Sequence, residues 1–188
     1  MIKKIKEDLE KSIGKDRYLH SLRVMEVSQK LAKCYGENEE DAMLAGLLHD
    51  CGRILDKCYL LKMANEFGII LKGMYEKEFV LIHAYLGAEI AKNHYKIENT
   101  DIINAIKYHT TGRENMSLLE KIVYIADYIE PGRDFPGVEE IRDLAYKNLD
   151  KSLLKSMENT IRHVIDRGWI LHEDTVKARN YIILNSKQ

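Results

Sequence analysis

Apolar residues recur every three or four positions along nearly the whole chain. Ile2, Ile5, Leu9 and Ile13 form one stripe at helical spacing, and Gly14 ends it. The same periodicity predicts a second helix from about Asp16 to Tyr35, closed by Gly36. A third starts at Asn38 as N-cap and ends near the pair His49-Asp50. Lys57 to Phe67 reads as a fourth, stopped by Gly68, and His83 to Tyr95 as a fifth. Thr100 is read as the cap of a sixth through His109. Ser117 and Glu120 have the spacing of a capping box for a seventh, which stops before Pro131. Three more follow at about Gly137 to Lys147, Asp150 to Arg167 and Glu173 to Asn185. Val and Ile do not alternate with polar residues, and Ile69 to Leu71 is the one strand-like fragment. The expected class is all-α, with about ten helices and no significant sheet.

Composition adds constraints. In 188 residues, 45% apolar content is enough for a real core. Both prolines, Pro131 and Pro136, fall in one break after the seventh helix. The expected organisation is one unit over 1–188: a core of about 16–135 and a helical extension of about 137–186 packing on it. Lys+Arg (29) and Asp+Glu (30) nearly cancel, which excludes binding to nucleic acid or anionic membrane by bulk charge. The longest apolar run, Ala42 to Leu48, is far short of the ~20 residues of a spanning helix. Met1 to Lys11 lacks the apolar stretch of a signal peptide. Three cysteines without CxxC spacing argue against a disulfide framework or a Cys-type zinc site. A soluble, cytoplasmic protein is expected.

Familiar motifs fail. Gly68 to Gly73 has P-loop spacing, but Met74-Tyr75 stands where Lys and Ser/Thr are required. His172-Glu173 is not continued into HExxH. What remains is an ordered series: His20, His49-Asp50, His83, His109 and Asp127. Imidazole nitrogen and carboxylate oxygen together suit iron, manganese or zinc. Asp127 lies inside the apolar run Ile122 to Ile129, where a carboxylate needs a partner. His94, His163 and His172 are read as ordinary core or surface residues, and Arg23, Arg142 and Arg162 as solvated ones.

The series, with its surrounding text, resembles the HD-domain phosphohydrolases, an all-helical superfamily. RYLHSLRV (Arg17 to Val24), AGLLHDCGR (Ala45 to Arg53), HTTGRENMSLLEKIVYIADYIEPGRDFPGV (His109 to Val138) and ARNYI (Ala178 to Ile182) narrow the resemblance to the YqeK family. The resemblance implies a metal-dependent hydrolase that splits diadenosine tetraphosphate into two ADP. By it, His20, His49, Asp50 and Asp127 match metal ligands. Iron is the family's usual ion, with manganese, cobalt, zinc or magnesium also compatible. Asp50 and His49 match the catalytic pair, Asp50 orienting water or acting as base while His49 holds the metal. His83 and His109 would hold a second metal or face phosphate, and the sequence leaves both open.

Arg17, Arg53, Thr110, Asp127 and Arg133, with those two histidines, are expected at the phosphates. Arg53 stands where the family often carries Lys, and a guanidinium fork is not equivalent to an ammonium. Trp169, Ile170, Leu171, His172, Glu173 and Asp174 are candidates for nucleoside contact, with core packing an equal reading of Trp169. Two other functions fit the same residues: hydrolysis of another nucleotide or phosphodiester, and an inactive nucleotide-binding signalling module. The expected partner is a small nucleotide rather than nucleic acid or membrane, and a homodimer is compatible with it.

Overall fold

The computed structural model describes residues 2–68 and 81–185. Among them are ten helices and no strand. They are α1 (Ile2–Ile13), α2 (Lys15–Tyr35), α3 (Glu39–Leu48), α4 (Lys57–Glu66) and α5 (Ile82–Asn93). Then come α6 (Thr100–Tyr108), α7 (Leu118–Ile129), α8 (Val138–Ala145), α9 (Leu149–Asp166) and α10 (Glu173–Asn185). The fold is all-α. The fragment Ile69 to Leu71 lies outside the described residues, as does the end of the Gly68 to Gly73 spacing with Met74-Tyr75.

Local chemistry fixes the helix ends. Asn38 accepts from the Asp41 amide and Asp56 from the amides of Cys58 and Tyr59. Ser117 and Glu120 close a reciprocal capping box at the start of α7. At α6 the cap is Asn99 rather than the expected Thr100. The Asn99 side chain accepts from the Asp101 amide, so Thr100 becomes the first helical residue. Gly36 ends α2 in the left-handed region, φ 72°.

Helix α7 is the axis of the molecule. It packs on α2, α3, α6, α8 and α9. Ile122, Val123, Ile125 and Ala126 are fully buried, so Asp127 follows a run of apolar neighbours on a largely enclosed helix. The stripe Ile5, Leu9 and Ile13 seals α1 against α2.

Two glycines set how closely the site-bearing segments approach. A Cβ at Gly46 on α3 would lie 2.6 Å from Ser28 Oγ and 3.0 Å from Met25 Cα on α2. One at Gly52, just past the end of α3, would lie 2.1 Å from the His83 carbonyl oxygen on α5. Only a hydrogen fits at either place. Among the described residues no helix is long and apolar enough to cross a membrane.

Candidate active site

His49 and His109 are placed by the same local device. Each is the C-cap of its helix, α3 and α6. Each donates Nδ1–H to the carbonyl three residues back, His49 to Gly46 (2.8 Å) and His109 to Ile106 (2.7 Å). The bond satisfies a helix-end carbonyl that would otherwise lack a partner. It also fixes the tautomer: a carbonyl only accepts, so Nδ1 carries the hydrogen and Nε2 keeps its lone pair. His20, on α2, is set the same way by Glu130, whose Oε1 accepts from Nδ1 at 3.1 Å. Glu130 is held in turn by Arg23 (2.5 Å) and the Gly132 amide (2.6 Å).

The lone pairs converge. His20 Nε2 lies 3.2 Å from His49 Nε2, 3.0 Å from Asp127 Oδ1 and 3.9 Å from Asp50 Oδ2. His49 Nε2 lies 3.4 Å from Asp50 Oδ2 and 3.8 Å from Asp127 Oδ1. Four atoms that only accept, two on carboxylates, crowd together inside the protein, each carboxylate oxygen facing both Nε2 atoms. Without a cation between them this repels. Ligand atoms about 2.1 Å from one ion sit roughly 3.0–3.4 Å apart at octahedral or tetrahedral angles. The donor chemistry suits a divalent metal, and the His20–His49, His20–Asp127 and His49–Asp50 spacings fall in that range.

Asp50 is 1% exposed and faces two ways. Oδ2 meets His20 and His49 and accepts from Arg17 Nη1 at 2.9 Å. Oδ1 accepts from Arg53 Nε at 2.7 Å and lies 3.2 Å from His83 Nε2 and 3.6 Å from His109 Nε2. His83 and His109 are 3.1 Å apart through Nε2, and Thr110 Oγ1 is within 3.3 Å of both. Asp50, His83 and His109 thus form a further triad of possible ligands, beside His20, His49 and Asp50 and beside His49, His109 and Asp127. Arg133 donates to Asp127 through Nη2 at 2.5 Å and to its backbone carbonyl through Nε at 2.9 Å.

These neighbours decide the charges. Burial opposes ionisation of Asp50, yet His49, His109 and His83 outweigh it and hold the carboxyl well below its usual range. Burial likewise opposes Asp127, and His20, His49 and Arg133 reverse it, so this carboxyl too is held down. For His49 burial favours the neutral ring, but Asp50 and Asp127 pull its pKa up. His83 goes the other way, to about 4, chiefly through burial, with His109 and Arg53 adding to it.

All of His20, His49, Asp50, His83, His109, Thr110, Asp127, Arg17, Arg53 and Arg133 meet in this one cluster. A cavity of about 650 Å3 opens from His109, Thr110, Asp127 and Arg133 toward α9. Its far wall includes Tyr128, Phe135, Asn159, Arg162 and His163. The rings of Tyr128 and Phe135 meet edge to face at 5.1 Å.

Residues 169–174 do not line this cavity. Trp169 is 53% exposed and packs on the ring of His163 and the guanidinium of Arg167. Through Nδ1, His172 accepts from the Asp174 amide at the start of α10. The sequence reading also missed several contributors. Arg23 and Arg142 are not the solvated charges their sequence positions suggest, and they brace the site. Arg23 holds Glu130, and Arg142 donates to the carbonyls of Ile129, Glu130 and Arg133, fixing the proline loop. Glu130, just before Pro131, carried a findable signal: a carboxylate one turn past Asp127 at the end of an apolar helix.

The chain is similar to known proteins over nearly its full length. The family model described as HD domain matches residues 17–132. "Bis(5'-nucleosyl)-tetraphosphatase, symmetrical" of Halalkalibacterium halodurans is 38% identical over 91% of each chain. The protein of the same name in Staphylococcus aureus is 39% identical over 96% of this chain and 93% of its own. The crystal structure of a "predicted HD superfamily hydrolase involved in NAD metabolism" from Clostridium acetobutylicum superposes with a TM-score of 0.93 at 46% identity. It covers 99% of this chain and 98% of its own. By sequence, fold and a His/Asp cluster suited to a divalent metal, this chain belongs to the HD-domain family.

Proposed function

We propose that this chain hydrolyses diadenosine tetraphosphate symmetrically, giving two ADP, and acts through one bound metal at His20, His49, Asp50 and Asp127. The observation that carries the reading is that Asp50 and Asp127 each bring an oxygen within 3.0–3.9 Å of the Nε2 atoms of both His20 and His49, with Arg17, Arg53 and Arg133 around them. Relatives named for this activity support it over nearly the full length. Iron is the preferred ion, and the oxygen and nitrogen donors also accept manganese, cobalt, zinc or magnesium. When bound, such an ion lowers the pKa of water toward neutrality and polarises a phosphoryl oxygen.

The chain's own residues do the rest. His20 and His49 hold their lone pairs inward because Glu130 and Gly46 hold their hydrogens. Asp50, ionised throughout the neutral range, orients the attacking water as a hydrogen-bond acceptor, and the water's proton passes on to solvent because a carboxyl held this low does not keep it. The water oxygen bonds to one of the two central phosphorus atoms. The P–O bond to the bridging oxygen breaks, and that oxygen leaves on the second ADP. Arg17, Arg53 and Arg133 offer charge-assisted hydrogen bonds to the phosphates. His83, with its pKa near 4, is neutral and faces phosphate as a hydrogen-bonding ring, with His109 and Thr110 beside it. One adenosine half enters the cavity lined by Tyr128 and Phe135, and Trp169 supports its wall from behind by packing on His163. The chain acts as one unit, the extension of about 137–186 supplying that wall to the core of about 16–135, in the cytoplasm.

The test is metal analysis of the protein as purified, then product identification with diadenosine tetraphosphate. ADP as sole nucleotide product is expected. AMP plus ATP overturns the reading, as does full activity in His49→Ala or Asp127→Ala after metal removal and replacement.

A further inference from the structure

The donor cluster meets a second cavity. It holds about 400 Å3, and Lys15, Asp16, Arg17, Arg53 and Leu55 are among its walls. It shares no lining residue with the cavity that runs from Asp127 to α9. Its cations outnumber its carboxylate three to one. Arg17 and Arg53 form the partition between this cavity and buried Asp50, each reaching a different carboxylate oxygen.

Neither guanidinium is used up there. Arg17 spends Nη1 on Asp50 and Arg53 spends Nε. The remaining donors, Nε and Nη2 of Arg17 and both Nη atoms of Arg53, have no partner among the described residues. The side chains are 37% and 31% exposed. Five N–H bonds fan out from each guanidinium in fixed directions, so one that binds a carboxylate on one edge still presents donors on another. Leu55, 69% exposed, offers an apolar wall at the outer end, and its amide is tied to the Ser12 carbonyl.

A substrate split at its centre has two equal arms. An arm of two phosphates carries negative charge wherever it goes, and each arm needs its own cations. Arg133 lines the first cavity, and Arg17 and Arg53 line the second. The first cavity has room for one nucleoside diphosphate, within the range of pockets that enclose a single small ligand.

We propose that the cavity of Lys15, Arg17, Arg53 and Leu55 seats the second nucleoside diphosphate half, so that the two halves leave the donor cluster through different cavities. This rests on the dinucleotide reading above and deepens it. It gives a physical reason for central cleavage: with two phosphates matched to each set of arginines, the middle anhydride is the bond left over the metal donors.

The test counts ADP molecules on the metal-loaded chain by equilibrium dialysis and calorimetry. Two per chain are expected at saturation. Lys15→Ala with Arg53→Ala removes or weakens one of them by about tenfold or more, the scale of a lost charge-assisted contact, and leaves the other unchanged. Leu55→Glu, at an exposed position the fold does not depend on, does the same through repulsion. Tyr128→Ala weakens the other site instead. One ADP per wild-type chain, or equal weakening of both sites in the Lys15/Arg53 variant, or two unaltered sites in Leu55→Glu, overturns the inference. The underlying activity is judged separately: wild type that yields no ADP from diadenosine tetraphosphate takes down the function, whatever the binding count.

Discussion

Gly52 offers a way to disturb the site without removing any chemical group from it. It follows Cys51, directly beyond the His49-Asp50 pair, and backs onto the first turn of α5. A methyl group at Gly52 would stand 2.1 Å from the His83 carbonyl oxygen, 2.6 Å from the Gly87 nitrogen and 3.0 Å from the His83 carbonyl carbon. All three obstacles are backbone, so no side chain can swing away. The segments must part by about 1 Å to restore ordinary contact in a close-packed interior. His83 Nε2 sits 3.1 Å from His109 Nε2 and 3.2 Å from Asp50 Oδ1. A retreat of that size takes both beyond hydrogen-bonding range, which ends near ~3.5 Å.

Overpacking of this kind costs about 1–3 kcal/mol. The rigid obstacle places Gly52→Ala in the upper part, about 2–3 kcal/mol. For a chain of this size that lowers Tm by roughly 4–12 °C. Misplacing a contributing group by about 1 Å costs on the order of 100-fold in turnover. Gly36→Ala is the control. It has φ 72° and nothing within 4 Å of a new Cβ, so it loses about 1–2 kcal/mol to backbone strain alone and keeps its turnover. The assay is thermal unfolding by circular dichroism paired with steady-state kinetics. A Gly52→Ala protein that melts with the wild type and turns over normally refutes the claim that this contact places His83.

Loss of a metal donor should be graver than loss of an outer partner. His49→Ala and Asp127→Ala are expected to purify with well under one ion per chain, and to lose more activity than the ~10–100-fold typical of outer partners. Glu130→Gln keeps the shape but removes the charge behind His20, and metal titration should show affinity down within that ~10–100-fold range. Glu130 also predicts a pH effect. Burial raises its pKa, but Arg23, the Gly132 amide and His20 outweigh it, so the folded value lies below the ordinary ~4.3. Its contribution to stability is present above ~4.3 and is lost as pH falls through the folded value. Denaturant unfolding of the apoprotein should show the gap between wild type and Glu130→Gln closing as pH drops below ~4. Ser117→Ala opens the capping box at the start of α7 and should cost about 1 kcal/mol, roughly 2–4 °C in Tm, with the metal content unchanged.

The helices were legible because each carries its own period and its own ends. The Ile2, Ile5, Leu9, Ile13 stripe and the Ser117–Glu120 box depend on neighbours in sequence, and both stand in the fold. Asn99 was overlooked because adjacent Asn and Thr are both cap-competent, and only the geometry chooses. The donors were legible as a series because carboxylates and imidazoles beside apolar runs are costly without partners. Arg23 and Arg142 were not. Read along α2 and α8 they look like solvated charges, and their roles arise from Glu130 and the proline loop, which reach them from nine or more positions away. The cavity wall on α9 was hidden for the same reason. Asn159, Arg162 and His163 face Asp127 only once α9 lies across α7, and no local pattern encodes that crossing.

The repeated use of a C-cap histidine explains how so polar a cluster survives at the centre of an apolar bundle. A helix end is the one place where a buried backbone carbonyl lacks a partner and where the partial negative charge of the helix collects. Placing His49 and His109 there satisfies a carbonyl on each helix and aims each Nε2 outward past the helix end. Asp50 then occupies the gap between the ends of α3 and α6, one oxygen toward each histidine pair. The same bond that completes the fold thus orients the donor. The arrangement predicts that the site is not an addition that can be stripped away at no cost. Replacing His109 by Phe leaves the Ile106 carbonyl buried without its donor, so stability should fall by about 1–3 kcal/mol even in metal-free protein. A metal-free His109→Phe protein as stable as the metal-free wild type would show that the histidine serves the chemistry alone.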